Sequence, residues 1–251
     1  TIDQRGHGAT GAEMLFGDFG EHDGWMRNIG DIISIQHFIQ HKYNTKDVIL
    51  FGHSMGSVVA RSLLKHHGED YMGCVLSGIP TLPPALGFLH PLMKIVSHII
   101  GHTKPSKLFA ALSFKAYDRK NKSITKNAWL SVDEENVRGY NEDPWCGFTL
   151  THRGVVQFLS GMIDVSHLKT QNNVFKDKPI WMVVGLKDPS ANHPKDLEHT
   201  KKCLHKQGYT NITTTLDPFS LHEVFFDVNA TTLNYELLTF IESLLKTNTF
   251  E

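Results

Sequence analysis

The chain has 251 residues, of which 40% are hydrophobic and 20% are charged, and its formal net charge is -1. This composition is ordinary for a globular protein with a substantial core, and it predicts one domain with an inserted lid. No long run of one charge sign occurs, so the composition suggests neither nucleic acid nor an anionic membrane surface as a partner, and we expect a small, mostly neutral substrate.

The first part of the chain alternates between helical and strand patterns. Residues 1–3 resemble the end of a strand, and apolar residues at helical spacing from 25 to 43 predict an amphipathic helix. An apolar run predicts a strand at about 47–52, followed by a helix to about 67, and Gly73–Ser77 predicts a short buried strand. This alternation indicates an α/β fold with a mostly parallel sheet that helices cover on both faces.

The stretch Gly52-His53-Ser54-Met55-Gly56 lies where the predicted strand turns into the predicted helix. A sharp turn strains the residue at its tip, and small neighbours at positions 52 and 56 let the chain pass close to itself. Ser54 would then be an exposed nucleophile, and the backbone N–H of Met55 at the helix N-terminus would bind the developing oxyanion. The alternative is a tight turn in which Ser54 only caps the helix, which explains the serine but not both glycines.

Between 81 and 177 the pattern predicts no strand, and prolines separate short apolar helical stretches. We therefore predict a helical cap with connecting helices at 81–177, inserted between two parts of the α/β core at 1–80 and 178–251. The apolar side chains within 82–100 exceed what a surface helix needs. They either line an apolar pocket or pack the lid onto the body, and the sequence leaves both interpretations open.

The alternation resumes with a predicted strand at 179–185, a helix at about 194–206, a strand at 212–216 and a last amphipathic helix.

The partners of a nucleophilic serine are predicted at the ends of these later strands. A serine hydroxyl needs a histidine base and a carboxylate that orients the base, and both belong at the carboxyl edge of the sheet. Asp188 directly follows the strand at 179–184, and His222 lies in the loop between the next strand and the last helix. The order serine, aspartate, histidine is that of an α/β-hydrolase. The competing residues are Asp177 and Asp217 for the acid, and His193, His199 and His205 for the base.

The cysteines and histidines give no pattern of a metal or disulfide site. Cys74, Cys146 and Cys203 are odd in number and form no CxxC pair, which predicts free thiols and a reducing, cytoplasmic compartment. His98 and His102 have a zinc-compatible spacing but no evident third ligand, so we expect neither a metal nor another cofactor. No stretch approaches the ~20 apolar residues that a membrane span requires.

Several motifs point to one family. They are Asp3-Gln4-Arg5-Gly6-His7-Gly8-Ala9-Thr10, Gly52-His53-Ser54-Met55-Gly56, Gly185-Leu186-Lys187-Asp188-Pro189 and His222-Glu223, with Trp129-Leu130-Ser131-Val132-Asp133, Tyr140-Asn141-Glu142-Asp143-Pro144 and Cys146-Gly147-Phe148 in the cap. Over nearly its whole length the chain resembles the α/β-hydrolases of the monoacylglycerol lipase, lysophospholipase and serine aminopeptidase S33 type. The resemblance implies a catalytic triad of Ser54, Asp188 and His222.

The resemblance also implies that part of the family's fold lies outside this sequence. The family's oxyanion loop and its third strand precede anything in the chain, and the family topology places that strand beside the strand that ends at Gly52. We therefore expect that N-terminal strands are missing from this chain and that the second oxyanion donor comes from the absent part.

The sequence thus predicts a serine esterase that acts through an acyl-enzyme. The resemblance and the apolar cap favour a monoacylglycerol or a lysophospholipid as substrate, with transient contact between the cap and a membrane surface. One alternative is a peptidase that removes small N-terminal residues, for which Glu142 or Asp143 would bind the substrate's amine. Another alternative is a non-catalytic protein of the same fold that binds an acyl ligand.

Overall fold

A computed structural model of the protein describes residues 1–81, 85–121, 124–166, 177–191 and 194–248. One sheet of four parallel strands forms its centre, and the spatial order of the strands follows the chain. The strands are β1 (Ile49–His53), β2 (Gly73–Ser77), β3 (Ile180–Gly185) and β4 (Ile212–Asp217). The predicted α/β fold with a parallel sheet is confirmed, and all four strands lie where the sequence predicts them.

Ten α-helices accompany the strands in the described residues. They are α1 (Gly8–Glu13), α2 (Gly24–Tyr43), α3 (Met55–His67), α4 (Leu86–Ile100), α5 (Lys107–Leu112), α6 (Phe114–Asn121), α7 (Glu134–Glu142), α8 (His152–Ser166), α9 (Lys195–Lys206) and α10 (Ala230–Asn248). Every connection between consecutive strands contains at least one helix, as parallel pairing requires.

The two inner strands, β2 and β3, are buried at every position, because helices cover both faces of the sheet. Cys74, Leu76 and Met182 pack on one face with apolar residues of α3 and α9. Val75 and Val183 alternate to the other face, where the short helical turn Val224–Phe226 and α10 cover them. A further layer of α2, α4 and α8 packs around the outer side of α3.

Strand β1 lies at one edge of the sheet. It pairs with β2 on one side, and within the described part of the chain no strand pairs with its other side. Residues 1–4, expected to include the end of a strand, lie outside any strand here, and the Asp3 carboxylate instead accepts a hydrogen bond from the backbone N–H of Ala9. The expectation of a further strand beside β1 stays a prediction.

Between β2 and β3 the described residues of 81–177 form helices α4 to α8 and no strand, with one isolated bridge between Pro105 and Thr151. Helix α4 has two apolar faces with different surroundings. Leu86 and Met93 are buried in a core shared with α8, whereas other apolar side chains of α4 face outward, namely Phe88, Leu92, Ile95, Ile99 and Ile100. Packing onto the body therefore explains the inner face only. Leu82 lies outside the described residues, and the domain boundaries stay predictions.

All three cysteines are free thiols. In the described residues no three His, Cys, Asp or Glu side chains are grouped as metal ligands would be, and His98 and His102 have ring centroids 6.0 Å apart. None of the helices described here is both long enough and apolar enough to span a bilayer.

Candidate active site

Ser54 lies at the turn between β1 and α3 in a strained conformation, with φ 53° and ψ -121°. A side chain at position 52 would collide with the carbonyl oxygen of Gly56, so the sharp turn requires glycine there. At Gly56 an added Cβ would meet nothing within 4 Å among the described residues, so the expected steric need for a small residue at that position is not seen. Strain at one serine between a strand and a helix is typical of a nucleophile elbow.

Hydrogen bonds hold the strained turn in place. The backbone N–H of Ser54 donates to the carbonyl oxygen of Ser77 at 3.0 Å, which fixes the turn to the end of β2. The Ser57 hydroxyl donates to the carbonyl oxygen of Ser54 at 2.7 Å. The Met55 amide belongs to the first turn of α3, where N–H groups have no intrahelical acceptor and the helix dipole favours an anion. Its role as an oxyanion donor stays a prediction.

Asp188 follows β3 and is almost fully buried. Its Oδ2 lies 2.8 Å from Nδ1 of His222, and its Oδ1 accepts the backbone N–H of Ser190 at 2.8 Å. Burial alone would raise the pKa of the Asp188 carboxyl, but the charge of His222 and the hydrogen bonds from His222 and Ser190 outweigh burial and lower it. Asp188 is therefore an anion that can hold His222 in one tautomer.

His222 lies after β4 and is 2% exposed, so the two predicted partners meet although 34 residues separate them. Its Nδ1 faces Asp188 and also lies 3.2 Å from the Ser190 hydroxyl. The other ring nitrogen, Nε2, is buried and has no hydrogen-bond partner in the described residues, so Ser54 does not bond to it here. Catalytic hydrogen bonds are often long before substrate binds, and the arrangement leaves Nε2 available to take a proton.

Close backbone contacts bring the strand ends together around His222. Gly78, which follows β2, has φ +52°, and a Cβ there would lie 2.7 Å from the His53 ring and 2.9 Å from the His222 ring. A Cβ at Gly185, the last residue of β3, would collide with the carbonyl oxygen of Leu221. Because both glycines allow this approach, the residue before Ser54 and the loop that carries His222 share one edge of the sheet.

His53 lies against His222, with ring centroids 4.8 Å apart. Burial, and then the charge of His222, lower the pKa of His53 to about 3, and Nδ1 of His53 is 2.8 Å from the Ser77 hydroxyl. His53 is therefore neutral at physiological pH and adds no positive charge beside His222.

The rival acids have other surroundings. Asp177 precedes β3, at the opposite edge of the sheet from Ser54. Asp217 ends β4, and its carboxylate accepts hydrogen bonds from the Ser220 backbone N–H and from the Asn229 side chain, so it shapes the loop rather than orienting His222.

The rival bases also lie elsewhere. His199 and His205 belong to α9, where they contact Cys203 and the carbonyl oxygen of Tyr209. His193 lies outside the described residues. The structure thus brings Asp188 and His222 into contact, and it packs the ring of His53, the residue before Ser54, on the His222 ring.

Three side chains at the site have no assignment from the sequence patterns. Trp129 packs on His222 with ring centroids 4.8 Å apart, and Asp227 binds backbone groups of the loop that carries His222. Glu223 accepts a hydrogen bond from Asn136, and burial raises the pKa of its carboxyl. No periodicity or spacing indicates the contacts of Trp129 and Glu223, because each joins the cap to the body across a long stretch of chain.

Comparison with known proteins supports the assignment of this chain to the α/β-hydrolase fold. A family model described as serine aminopeptidase, S33, matches residues 1–229. No curated protein matches the sequence.

Solved structures of similar fold include three hydrolases. A thermostable carboxyl esterase from Bacillus coagulans is 24% identical, with 96% of this chain and 79% of that chain covered and a TM-score of 0.82. A soluble variant of monoglyceride lipase from Saccharomyces cerevisiae is 16% identical, with 96% and 76% covered and a TM-score of 0.66. A monoacylglycerol lipase from Paleococcus ferrophilus is 17% identical, with 88% and 76% covered and a TM-score of 0.61. At these identities the likeness establishes the fold.

Proposed function

The chain belongs to the serine aminopeptidase S33 family of α/β-hydrolases, and from this premise we propose that it hydrolyses carboxylic esters of the monoacylglycerol or lysophospholipid type through an acyl-enzyme. The observation that carries the proposal is the buried pair of Asp188 and His222, held at 2.8 Å at the sheet edge where the strained Ser54 begins α3. A serine in that conformation beside an oriented imidazole is what acyl transfer requires.

The reaction uses the three residues in sequence. The Ser54 hydroxyl oxygen attacks the ester carbonyl carbon while its proton passes to Nε2 of His222, and the Met55 amide donates to the oxyanion. Collapse of the tetrahedral intermediate breaks the bond to the alcohol, which leaves with the proton from His222. A water molecule then attacks the acyl-enzyme with His222 again as base, which releases the acid and restores Ser54. Asp188 keeps the proton on Nδ1 and stabilises the imidazolium throughout.

The preference for a lipid ester rests on the cap and on the kind of relatives. Two of the similar structures carry monoacylglycerol or monoglyceride lipase in their names and one is called a carboxyl esterase. Glu142 and Asp143, the carboxylates considered for an aminopeptidase, are exposed at the end of α7. An ester is therefore a better match to this chain than the N-terminus of a peptide.

A fluorophosphonate probe tests the nucleophile directly. We expect the probe to label Ser54 by mass spectrometry, and we expect Ser54→Ala to lose both the label and all ester hydrolysis. A panel of monoacylglycerols and lysophospholipids of graded chain length, with aminoacyl p-nitroanilides beside them, then identifies the substrate class. Cleavage of the anilides alone would indicate a peptidase, and a folded chain that neither takes the label nor cleaves any substrate would contradict the proposed activity of this chain.

We also propose that the outward face of α4 contacts a lipid surface transiently. Phe88, Ile95 and Ile99 are 71%, 58% and 76% exposed on this helix. Residues 85–117 contain no aspartate or glutamate, whose desolvation would oppose burial at a lipid interface. Single exposed apolar residues are ordinary, but several exposed apolar residues on one helix are typical of an interaction site.

Vesicle flotation tests this contact. We expect the wild type to float with neutral phosphatidylcholine vesicles and the double variant Ile95→Ser, Ile99→Ser to remain behind. The control is Phe38→Ser, which removes a 64% exposed apolar side chain from α2 and should float as the wild type does. Equal flotation of all three proteins, or of none, would contradict the proposed contact.

We place the protein in the cytoplasm on the basis of its thiols. Cys74, Cys146 and Cys203 are free, as is typical of a reducing compartment. Fractionation of cells that express the tagged protein, with immunoblotting of each fraction, tests this placement.

A further inference from the structure

The Asp227 carboxylate binds two separate parts of the molecule at once. Its Oδ2 accepts the backbone N–H of Leu221, next to His222, at 2.7 Å. Its Oδ1 accepts the backbone N–H groups of Val132 at 2.9 Å and Asp133 at 3.2 Å, which belong to the cap, and of Val228 at 2.8 Å. Asp227 is 4% exposed, so these four N–H groups replace water around the carboxylate.

The cap segment at 129–133, called here the roof segment, is joined to the His222 loop by a second contact. The backbone N–H of Glu223 donates to the carbonyl oxygen of Leu130 at 2.8 Å. One hydrogen-bonded connection on each side of His222 therefore fixes the roof segment relative to this loop. Trp129, which begins the segment, is 5% exposed, and its ring packs on the His222 ring at 4.8 Å between centroids.

These contacts restrict a tilt of the His222 ring that the hydrogen bond to Asp188 alone permits. The hydrogen bond from Nδ1 to Asp188 holds one edge of the His222 ring but does not fix the tilt of the ring around that bond. His53 and Trp129 each pack on the His222 ring and limit its tilt. Trp129 also packs on Phe114 and Tyr117 of α6, and the roof segment that carries its backbone is attached to the His222 loop through Asp227 and through Leu130. The attachment at Asp227 is thus one of the contacts that set the direction in which Nε2 points.

We propose that Asp227 is a positioning residue for the reaction, which attaches the roof segment to the His222 loop and so holds Trp129 against the imidazole. The inference rests on the proposed serine hydrolase activity and assigns Asp227 no contact with substrate. A carboxylate is required because all four partners are N–H donors. An asparagine would offer one acceptor oxygen and would turn its own N–H groups toward donors.

The test compares Asp227→Asn with Asp118→Asn. Asp118 lies in the same cap and accepts the backbone N–H of Asn127 at 3.2 Å, and within the described residues no hydrogen bond joins it to the His222 loop. With a short-chain p-nitrophenyl ester and rates normalised to the folded fraction, we expect Asp227→Asn to lower kcat by about 100-fold, because an error of about 1 Å in a reacting group costs that much. KM should stay within about threefold of the wild type, because the substrate's contacts are unchanged. Asp118→Asn should keep the wild-type kcat.

Hydrogen exchange measured by mass spectrometry separates positioning from general stability. In Asp227→Asn we expect faster exchange at Leu221, Val132 and Asp133, while amides of β2 and β3 keep their protection. We also expect Trp129→Ala to lower kcat, and the double variant with Asp227→Asn to be no slower than Trp129→Ala alone. If Asp227→Asn does not fold, Trp129→Ala still tests the inference, because the proposed effect of Asp227 acts through Trp129 and this variant leaves the four hydrogen bonds to Asp227 intact.

Three results would overturn the inference. They are an unchanged kcat in Asp227→Asn, a uniform rise in exchange over the whole chain, and additive losses in the double variant. A wild type that neither reacts with the fluorophosphonate nor cleaves the ester would instead overturn the proposed function. The two failures are therefore distinguishable.

Discussion

Helix α3 has a cluster of serine, histidine and aspartate side chains near each end. At its N-terminus the cluster is His222 with Asp188 and Ser190, and the His222 ring packs on His53, the residue before Ser54. Here the histidine uses Nδ1 for the carboxylate, and Nε2 has no partner in the described residues. The cluster therefore has a buried basic nitrogen available for chemistry.

The cluster near the C-terminus of α3 has the same residue types in a different arrangement. Asp164 of α8 accepts hydrogen bonds from the Ser62 hydroxyl at 2.7 Å, from the Lys65 ammonium at 2.7 Å and from Nε2 of His66 at 3.0 Å. Burial would raise the pKa of Asp164, but the hydrogen bonds from His66, Lys65 and Ser62 outweigh burial and lower it to about 2. This cluster neutralises a carboxylate and joins two helices.

The difference indicates that backbone position is a better guide to a reactive site than residue type alone. Asp188 and His222 lie in loops at the carboxyl ends of strands, where several chain segments converge and a ring nitrogen can be left for a ligand. Ser62, His66 and Asp164 lie within helices, where side chains from packed faces satisfy one another. We propose that the first cluster serves chemistry and the second stability, and variants of the two aspartates test these roles.

The largest expected effect comes from exchanging the two carboxylates for amides one at a time. Asp188→Asn should lower kcat about 10⁴-fold, because the amide favours the wrong tautomer of the base. Asp164→Asn should leave kcat unchanged and lower the free energy of unfolding by about 3 kcal/mol, because the buried Lys65 loses its counter-charge. Ester kinetics and urea unfolding of both variants measure the two effects.

The opposite pattern would contradict this division of roles. An active Asp188→Asn enzyme would show that another group orients His222. Asp217, which precedes His222 by five positions, is then the first candidate. A loss of activity in folded Asp164→Asn would show that the second cluster supports the first through α3. The double variant should combine both losses, since the two sites share no hydrogen-bond partner.

Much of the site follows from the sequence because it depends on local pattern. Gly52 and Ser54 lie between an apolar run and a helical pattern, and Asp188 and His222 each follow a predicted strand. Parallel strands end at one edge, so residues after them converge without any knowledge of side-chain packing.

The remaining contacts could not be predicted, because they join segments that have no pattern in common. Asp227 binds the backbone of Val132 across 95 positions, and Lys65 meets Asp164 across 99. Such pairs depend on how α8 and the roof segment pack, which periodicity does not determine. The sequence likewise does not determine which apolar residues of α4 face outward, because a helical pattern does not tell which apolar face meets the core.

The next effect is a pH dependence of stability to which both aspartates contribute. Because the pKa of Asp164 is lowered from 3.8 to about 2 in the folded protein, its contribution to stability is present above pH 3.8 and is lost as pH falls toward about 2. The free energy of unfolding should therefore fall over this range in the wild type and fall less in Asp164→Asn. Asp188 is shifted in the same direction, so Asp188→Asn should also flatten the curve. Urea unfolding at successive pH values measures the slopes, and equal slopes in all three proteins would contradict the assignment.

The smallest expected effects come from the two serines that accompany the aspartates. Ser190→Ala removes a hydroxyl 3.2 Å from Nδ1 of His222 and keeps the backbone N–H that binds Asp188, so kcat/KM should fall only about threefold. Ser62→Ala removes a donor to Asp164 and the acceptor of the Trp25 indole N–H at 3.1 Å, so it should cost about 1–2 kcal/mol of stability with no change in kcat/KM. Kinetics and unfolding of this pair compare equal chemical changes at the two ends of α3. A stability loss at Ser190 as large as that at Ser62 would mean that the N-terminal cluster also serves mainly to hold the fold together.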